Sequence, residues 1–400
     1  MPHLAIYIFS FFQSIMLVLL LTGTSIAQDI PPDDEAIPSL SSREYIDFLN
    51  SGPLLYRAKT MEGLDILNIG LMDQAYSIWV EQGLGGDLNA LALAAMLCKA
   101  AETLPASDWM IRWGSDKNTS STCPVPSLFW ENSLISLLGE GEGNFILGLF
   151  GIELGSYAPF QTKNYVNTLM DYMLRSARAG HPHAMYLASS TSSSRTSQIF
   201  TPPKNLPDVP VLPQKYHPTR SFEARFWLTQ AAHAGNQFSM EVLGSSYGGK
   251  HAKIEPDIEK MKYYYEMSVA HASNGAAKIL ATEYVTGAIL PQDCYKVIYY
   301  CSIAAQLENS AKFFPGSHLD DYFFARDKLP LLKEDLINFC MTEAEYEQAI
   351  AESIPAFEAI KAVRDQERAA HQALYDAAHA RLPEVRAAYE QALRENSGGR

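Results

Sequence analysis

The residues best equipped for chemistry in this 400-residue sequence are His181 and His183, one on each side of Pro182. Two imidazoles so close together can open a metal site, but a zinc centre needs at least three protein ligands, and no third candidate lies nearby. The structural reading of the pair is therefore preferred, and neither a metal nor a cofactor is expected. Glu367, His371, Tyr375 and His379 recur every fourth residue and so share one helix face. The sequence around them is charged throughout, which reads as a solvated face. The remaining Asp, Glu and His residues are scattered without the pairing that acid–base catalysis requires. There is no phosphate-cradling glycine loop, nucleophile elbow or zinc signature, so the chain reads as non-catalytic. Asn118-Thr119-Ser120 is a glycosylation sequon, meaningful only in a eukaryotic secretory route.

Five cysteines leave at least one unpaired. If Asp293 opens a helix, Cys294 and Cys301 stand about 10.5 Å apart along its axis, beyond disulfide reach. Cys98 with Cys123 would staple one proline- and serine-containing insertion to its neighbouring helices. Cys301 with Cys340 would tie the end of the periodic region to the segment C-terminal to it. Connectivity is not fixed by sequence, and both pairings are expectations.

The elements that must position these residues are helices. Ala224, Trp227, Leu228, Ala231 and Ala232 align with Met261, Tyr264, Tyr265, Ser268 and Val269, then with Val297, Tyr300, Cys301, Ala304 and Ala305, at steps of 37 and 36 residues. Within each set the offsets 4, 7, 8, 11 and 12 from Arg220, Asp257 and Asp293 fall on one side of a helix. A second amphipathic pattern comes after a tight turn, as Gly235-Asn236, Ser239, Leu243-Gly244 and Tyr247, and again as Ala272, Ala276, Leu280-Ala281 and Tyr284. The unit is a helix pair. Small residues such as Ala231, Ala232, Gly244 and Ala281 permit close approach of two helices, and the aromatics fill the space beside them. A single pair cannot bury its faces, so units must stack into an all-α solenoid.

The run F-E-A-R-F-W-L-T-Q-A-A-H-A-G-N-Q-F-S-M-E-V-L-G-S-S-Y, Phe222 to Tyr247, resembles the Sel-1-like repeat, a relative of the tetratricopeptide repeat. The period separates the two, since a tetratricopeptide unit recurs at about 34 residues. The likeness is good over Thr219 to Asn309 and weaker upstream, and the turn glycine is replaced by Ala272 and Glu308 in the later units. The resemblance implies a concave groove lined by the second helices. Buried offsets 4, 8 and 12 from the turn residue leave offsets 3, 6 and 10 on the groove side. These are Phe238, Glu241 and Ser245; Gly275, Lys278 and Thr282; and Asn89, Ala92 and Met96. An aromatic, both charges and hydroxyls suit a peptide or protein segment. The resemblance further implies adaptor or regulatory contacts, with an envelope enzyme or peptidoglycan-associated factor as the alternative. Extracellular members of the family carry disulfides within repeats, but this chain lacks their regular cysteine pair per unit.

Upstream, Leu71 to Gly83 with Gly86 to Cys98, Ser127 to Gly151, and Tyr165 to Ala184 obey the same offsets, giving a solenoid over 43–310 with insertions at 103–126 and 189–218. The second insertion holds a Ser/Thr run and five prolines between Pro202 and Pro213, and is expected to loop out from the stack. Residues 311–341 read as capping helices. Thr342 with Glu345 opens a charged helical tail over 342–400, which Pro355 and Pro383 are expected to interrupt.

Residues 1–27 hold an apolar run from Leu4 to Leu21 and small residues at Ser25 and Ala27, fitting an export signal cut after Ala27. The missing N-terminal positive charge keeps an uncleaved anchor through residues 4–21 as the alternative. Both place the body outside the cytoplasm, periplasmic or secreted, after a disordered leader at 28–42. The net charge of −14 argues against nucleic acid as a partner.

Overall fold

The computed structural model describes residues 63, 67, 72–103, 123–155, 163–191, 200–252, 254–310, 337 and 340–398. The export segment, the leader, most of the first insertion and nearly all of the proposed capping helices lie outside those residues. Among the described residues every regular element is helical: α1 Met72–Leu84, α2 Leu88–Thr103, α3 Ser127–Gly155, α4 Lys163–Arg178, α5 Pro182–Thr191, a 3-10 turn Gln214–Tyr216, α6 Phe222–His233, α7 Gln237–Tyr247, α8 Ile258–Ala270, α9 Asn274–Thr286, α10 Cys294–Ser310 and α11 Glu343–Gly398. Among these residues no helix is long and apolar enough to cross a membrane.

The chain divides into two compact units, one formed by residues up to Met185 together with His371–Arg400, the other by Tyr186–Ala370. In each, helices pack chiefly on their sequence neighbours: α1 on α2, α2 on α3 and α3 on α4 in the first, and α6 through α10 in succession in the second. That is the packing of stacked helix pairs. α3 is itself such a pair, because Gly139 leaves helical geometry at φ 79 and ψ 168.

The periodicity of the first helices translates directly into burial. All fifteen residues of the three aligned sets, from Ala224 to Ala305, are buried. Trp227, Tyr264 and Tyr300 take the same register position on α6, α8 and α10, and Tyr264 and Tyr300 stack on Tyr247 and Tyr284 of the preceding second helices, 5.6 and 6.0 Å between ring centres. The backbone of α7 meets the next unit at Gly244, where an added Cβ would lie 2.9 Å from the Tyr265 ring.

The turns share one scheme: a residue with positive φ, then a side chain capping the second helix. Asn236 and Ser273 accept the Ser239 and Ala276 N–H groups at 2.8 and 2.9 Å. The positive-φ residue is Gly86, Gly180 or Gly235 in three turns and Ala272 in the fourth, with φ 65. A side chain in left-handed backbone costs about 1–2 kcal/mol, partly offset by the entropy glycine loses on folding. Ala272→Gly is therefore expected to stabilise the 186–370 unit by about 0.5 kcal/mol, read as a higher urea midpoint at unchanged slope.

Two expectations are corrected here. Residues 200–212 of the second insertion do not loop out: Leu212 is buried, Phe200 packs on Phe226 and Trp227 with ring centres 5.2 and 5.8 Å apart, and the Pro207 and Leu212 carbonyls accept from Gln230 and Arg225 of α6. A proline-rich segment lacks donors but keeps its acceptors, and α6 supplies the donors. Nor do Pro355 and Pro383 end the tail, which is helical from Glu343 to Gly398. Each proline removes one backbone bond, while a buried stripe through Tyr346, Ala349, Ser353 and Ile360, and again through Tyr375, Ala378 and Leu382, holds the helix down. At its start Thr342 and Glu345 exchange hydrogen bonds, Glu345 Oε2 accepting from Thr342 N at 2.7 Å and Thr342 Oγ1 from Glu345 N at 3.2 Å.

Disulfides join Cys98 to Cys123 and Cys294 to Cys340. The expected Cys301–Cys340 pairing is thus replaced. Cys301 sits two turns inside α10 with its side chain in the core, and burial pushes its thiol up to about 12, whereas Cys294 opens the helix beside the segment leading into α11.

Candidate functional site

The side chains with most chemical potential meet at Glu142, in the second half of α3. Its Oε2 accepts from His181 Nε2 at 3.1 Å, and its Oε1 faces His371 Nε2 at 3.3 Å and the Tyr375 hydroxyl at 3.1 Å. His181 Nδ1 accepts the Ala184 N–H at 3.3 Å, so His181 caps α5 just as Asn236 caps α7, and its neutral ring carries the hydrogen on Nε2. Burial pushes the Glu142 carboxyl up, but the hydrogen bonds from His181 and His371 and the positive charge they can carry outweigh it and hold the group far below the usual carboxylate range.

Both oxygens of this carboxylate are engaged by protein groups, so the cluster is a clasp between α3, the start of α5 and the tail. The reading of His371 and Tyr375 as part of a solvated face is corrected: Tyr375 is buried and His371 is half-buried. Arg381 and Arg386 continue the attachment by donating to the carbonyls of Ser136 and Leu84 at 2.6 and 3.3 Å. Among the described residues no group of three potential ligands is arranged to hold a metal ion.

The predicted groove residues separate into two sets. Met96 and Ala92 are fully buried, a correction to their placement on an open face. Helix α2 packs on α1, α3 and α4, so the side that a bare repeat would leave free is covered. Asn89 is half-buried beside the Asp87 cap, whose Oδ1 accepts its N–H at 3.2 Å.

In the 186–370 unit the other set is divided between α7 and α9. Phe238, Glu241 and Ser245 lie half-buried along one side of α7. Phe238 meets Tyr186 of α5 with ring centres 5.9 Å apart. Glu241 accepts from Ser273 Oγ, which ties α7 to the cap of α9. On α9, Lys278 is half-buried and Thr282 is exposed, its hydroxyl donating back to the Lys278 carbonyl at 2.9 Å.

Beyond Ser245 the row continues into residues that carry no helical period. Ser245 Oγ is 3.5 Å from His251 Nε2, and the His251 ring stacks on His217 at 4.4 Å and 17°. Arg220 donates from Nε to His217 Nε2 at 3.1 Å and from Nη1 to the Ser189 carbonyl at 3.2 Å. His217 thus holds its own hydrogen on Nδ1, toward Thr219 Oγ1 at 3.2 Å. Burial lowers the His217 ring to about 4, with the charges of Arg220, His251 and Arg225 acting in the same direction. His251 is lowered by burial, then by Arg220 and Lys250. Burial raises the Tyr186 hydroxyl, Arg220 opposing and Glu241 reinforcing it. His217 and His251 are absent from the sequence reading because they lie at an insertion end and in a loop; Tyr186 sits on α5, past the last position followed there, and Arg220 enters that reading only as the residue that opens a repeat.

Stacked helix pairs with a half-exposed, chemically mixed face on the second helix define the class: an all-helical repeat protein. No protein-family model matches the chain, and no curated protein matches it. Among solved structures it is similar to the crystal structure of a Sel1 repeat protein from Oxalobacter formigenes, at 14% identity and a TM-score of 0.35, covering 74% of this chain and 99% of that one. That likeness is too distant to carry a role across.

Proposed function

We propose that the chain is a non-catalytic scaffold or adaptor that holds a peptide or protein segment against the second-helix face of the 186–370 unit, and that it works outside the cytoplasm. The observation that carries this is the half-buried row Phe238, Glu241 and Ser245 along one side of α7, with Tyr186 packed on Phe238. It offers an aromatic anchor with polar groups around it, the composition that concentrates binding energy at interfaces. Export is supported by the apolar run at residues 4–21 and by the two disulfides, which persist in oxidising compartments.

The test is a pull-down with the mature chain against Phe238→Ala plus Lys278→Glu, two changes outside the core. Loss of an anchor of this kind costs about 2 kcal/mol, so recovery of the partner is expected to fall about thirtyfold. Equal recovery by both proteins would move the binding surface elsewhere.

A further inference from the structure

Among the described residues the guanidiniums of Arg220 and Arg225, gathered around His217 and beside His251, have no acidic partner. The chain carries 45 acidic against 31 basic residues, yet among the described residues no Asp or Glu stands within ion-pairing distance of any of these four. Glu223, in the first turn of α6, and Glu241, which accepts from Ser273, form no ion pair with any of them. The imidazoles are stacked face to face, and each guanidinium lowers the proton affinity of His217. Guanidinium charges gathered without an acidic partner cost stability, and titratable groups perturbed by such neighbours concentrate at functional sites. Arg220 is fixed through Nε and Nη1, and no described residue engages its Nη2 edge. Arg225 is held by the Leu212 carbonyl while its buried Nε has no acceptor.

We propose that this cluster is an oxyanion subsite that takes a carboxylate of the polypeptide held along α7, with Arg220 as the charged donor and His251 as the second. The choice of a carboxylate rests on the reading of that face as a polypeptide site, because Ser245 links His251 directly to the Phe238–Glu241 row. An acidic side chain next to an aromatic one is the segment these neighbours fit.

The probes are an acetylated peptide of alternating Glu and Phe, the same peptide with Gln for Glu, and inorganic phosphate, each titrated into the full mature chain by calorimetry. The Glu peptide is expected to bind at least tenfold more tightly than the Gln peptide, with an affinity that falls as salt rises. Arg220→Gln and His251→Gln are expected to remove that difference, and unchanged thermal unfolding shows that these variants remain folded. Equal binding of Glu and Gln peptides overturns the subsite, and phosphate binding as tight as the Glu peptide overturns the carboxylate assignment. If Phe238→Ala plus Lys278→Glu abolishes partner recovery while Arg220→Gln leaves it intact, the groove stands and the subsite falls. If the Glu peptide binds through Arg220 regardless of Phe238, the subsite stands and the groove falls.

Discussion

Glu142→Gln is expected to destabilise the unit containing residues 72–185 and 371–398 by about 2–4 kcal/mol, because it leaves buried donors facing a poorer acceptor. His181, His371 and Tyr375 all converge on this carboxylate. A glutamine offers one oxygen, and its amide nitrogen opposes at least one of these donors. Urea unfolding monitored in that unit measures the loss, and limited proteolysis should show cleavage between His371 and Asn396 in the variant before the wild type. The pH dependence has a definite sign. The folded carboxyl lies below its unfolded value, so its contribution is complete above the unfolded value of about 4.3 and declines as pH falls toward the folded one. The gap between wild type and Glu142→Gln should thus be full at pH 7 and narrow progressively below about pH 4.

Trp227→Ala is expected to cost about 3–5 kcal/mol in the 186–370 unit, the range for emptying a large aromatic seat. Trp227 is 0% exposed, against 6% for Tyr264 and 4% for Tyr300 in the same register position. The two tyrosines also reach polar partners, with Tyr264 3.3 Å from His233 Nε2 and Tyr300 donating to Glu266 at 2.9 Å. Trp227 is instead enclosed by Phe200 and Phe226, so its removal leaves a void lined by rings that cannot close it. The drop in urea midpoint should exceed that of Tyr264→Ala, and a smaller effect at Trp227 would show that Phe200 and its segment collapse over the gap.

The first helices are legible because their burial is apolar and periodic: every residue at the aligned offsets is in the core. The tail is not, because the stretch of its inward stripe around 367–379 is written in Glu, His and Tyr, which look solvated until Glu142 and His271 are seen opposite them. His271 Nδ1, for example, stands 3.2 Å from Glu367. The prolines of the second insertion suggest a free loop, yet Gln230 and Arg225 stand ready in the sequence as donors for its carbonyls. Helical spacing puts Phe238, Glu241 and Ser245 on one side of α7, and the family resemblance makes that side the expected groove. Their neighbours His217 and His251 are out of its reach, since spacing carries no information outside a helix. Met96 fails for a related reason: counting along a helix identifies its sides and does not say which side a later segment will cover.

His181 performs two tasks with one ring. While neutral, it must accept from Ala184 at Nδ1 and give its only hydrogen to Glu142 at Nε2. A single substitution there, His181→Ala, would therefore loosen two attachments together, the tail's hold on α3 and the first turn of the short helix α5.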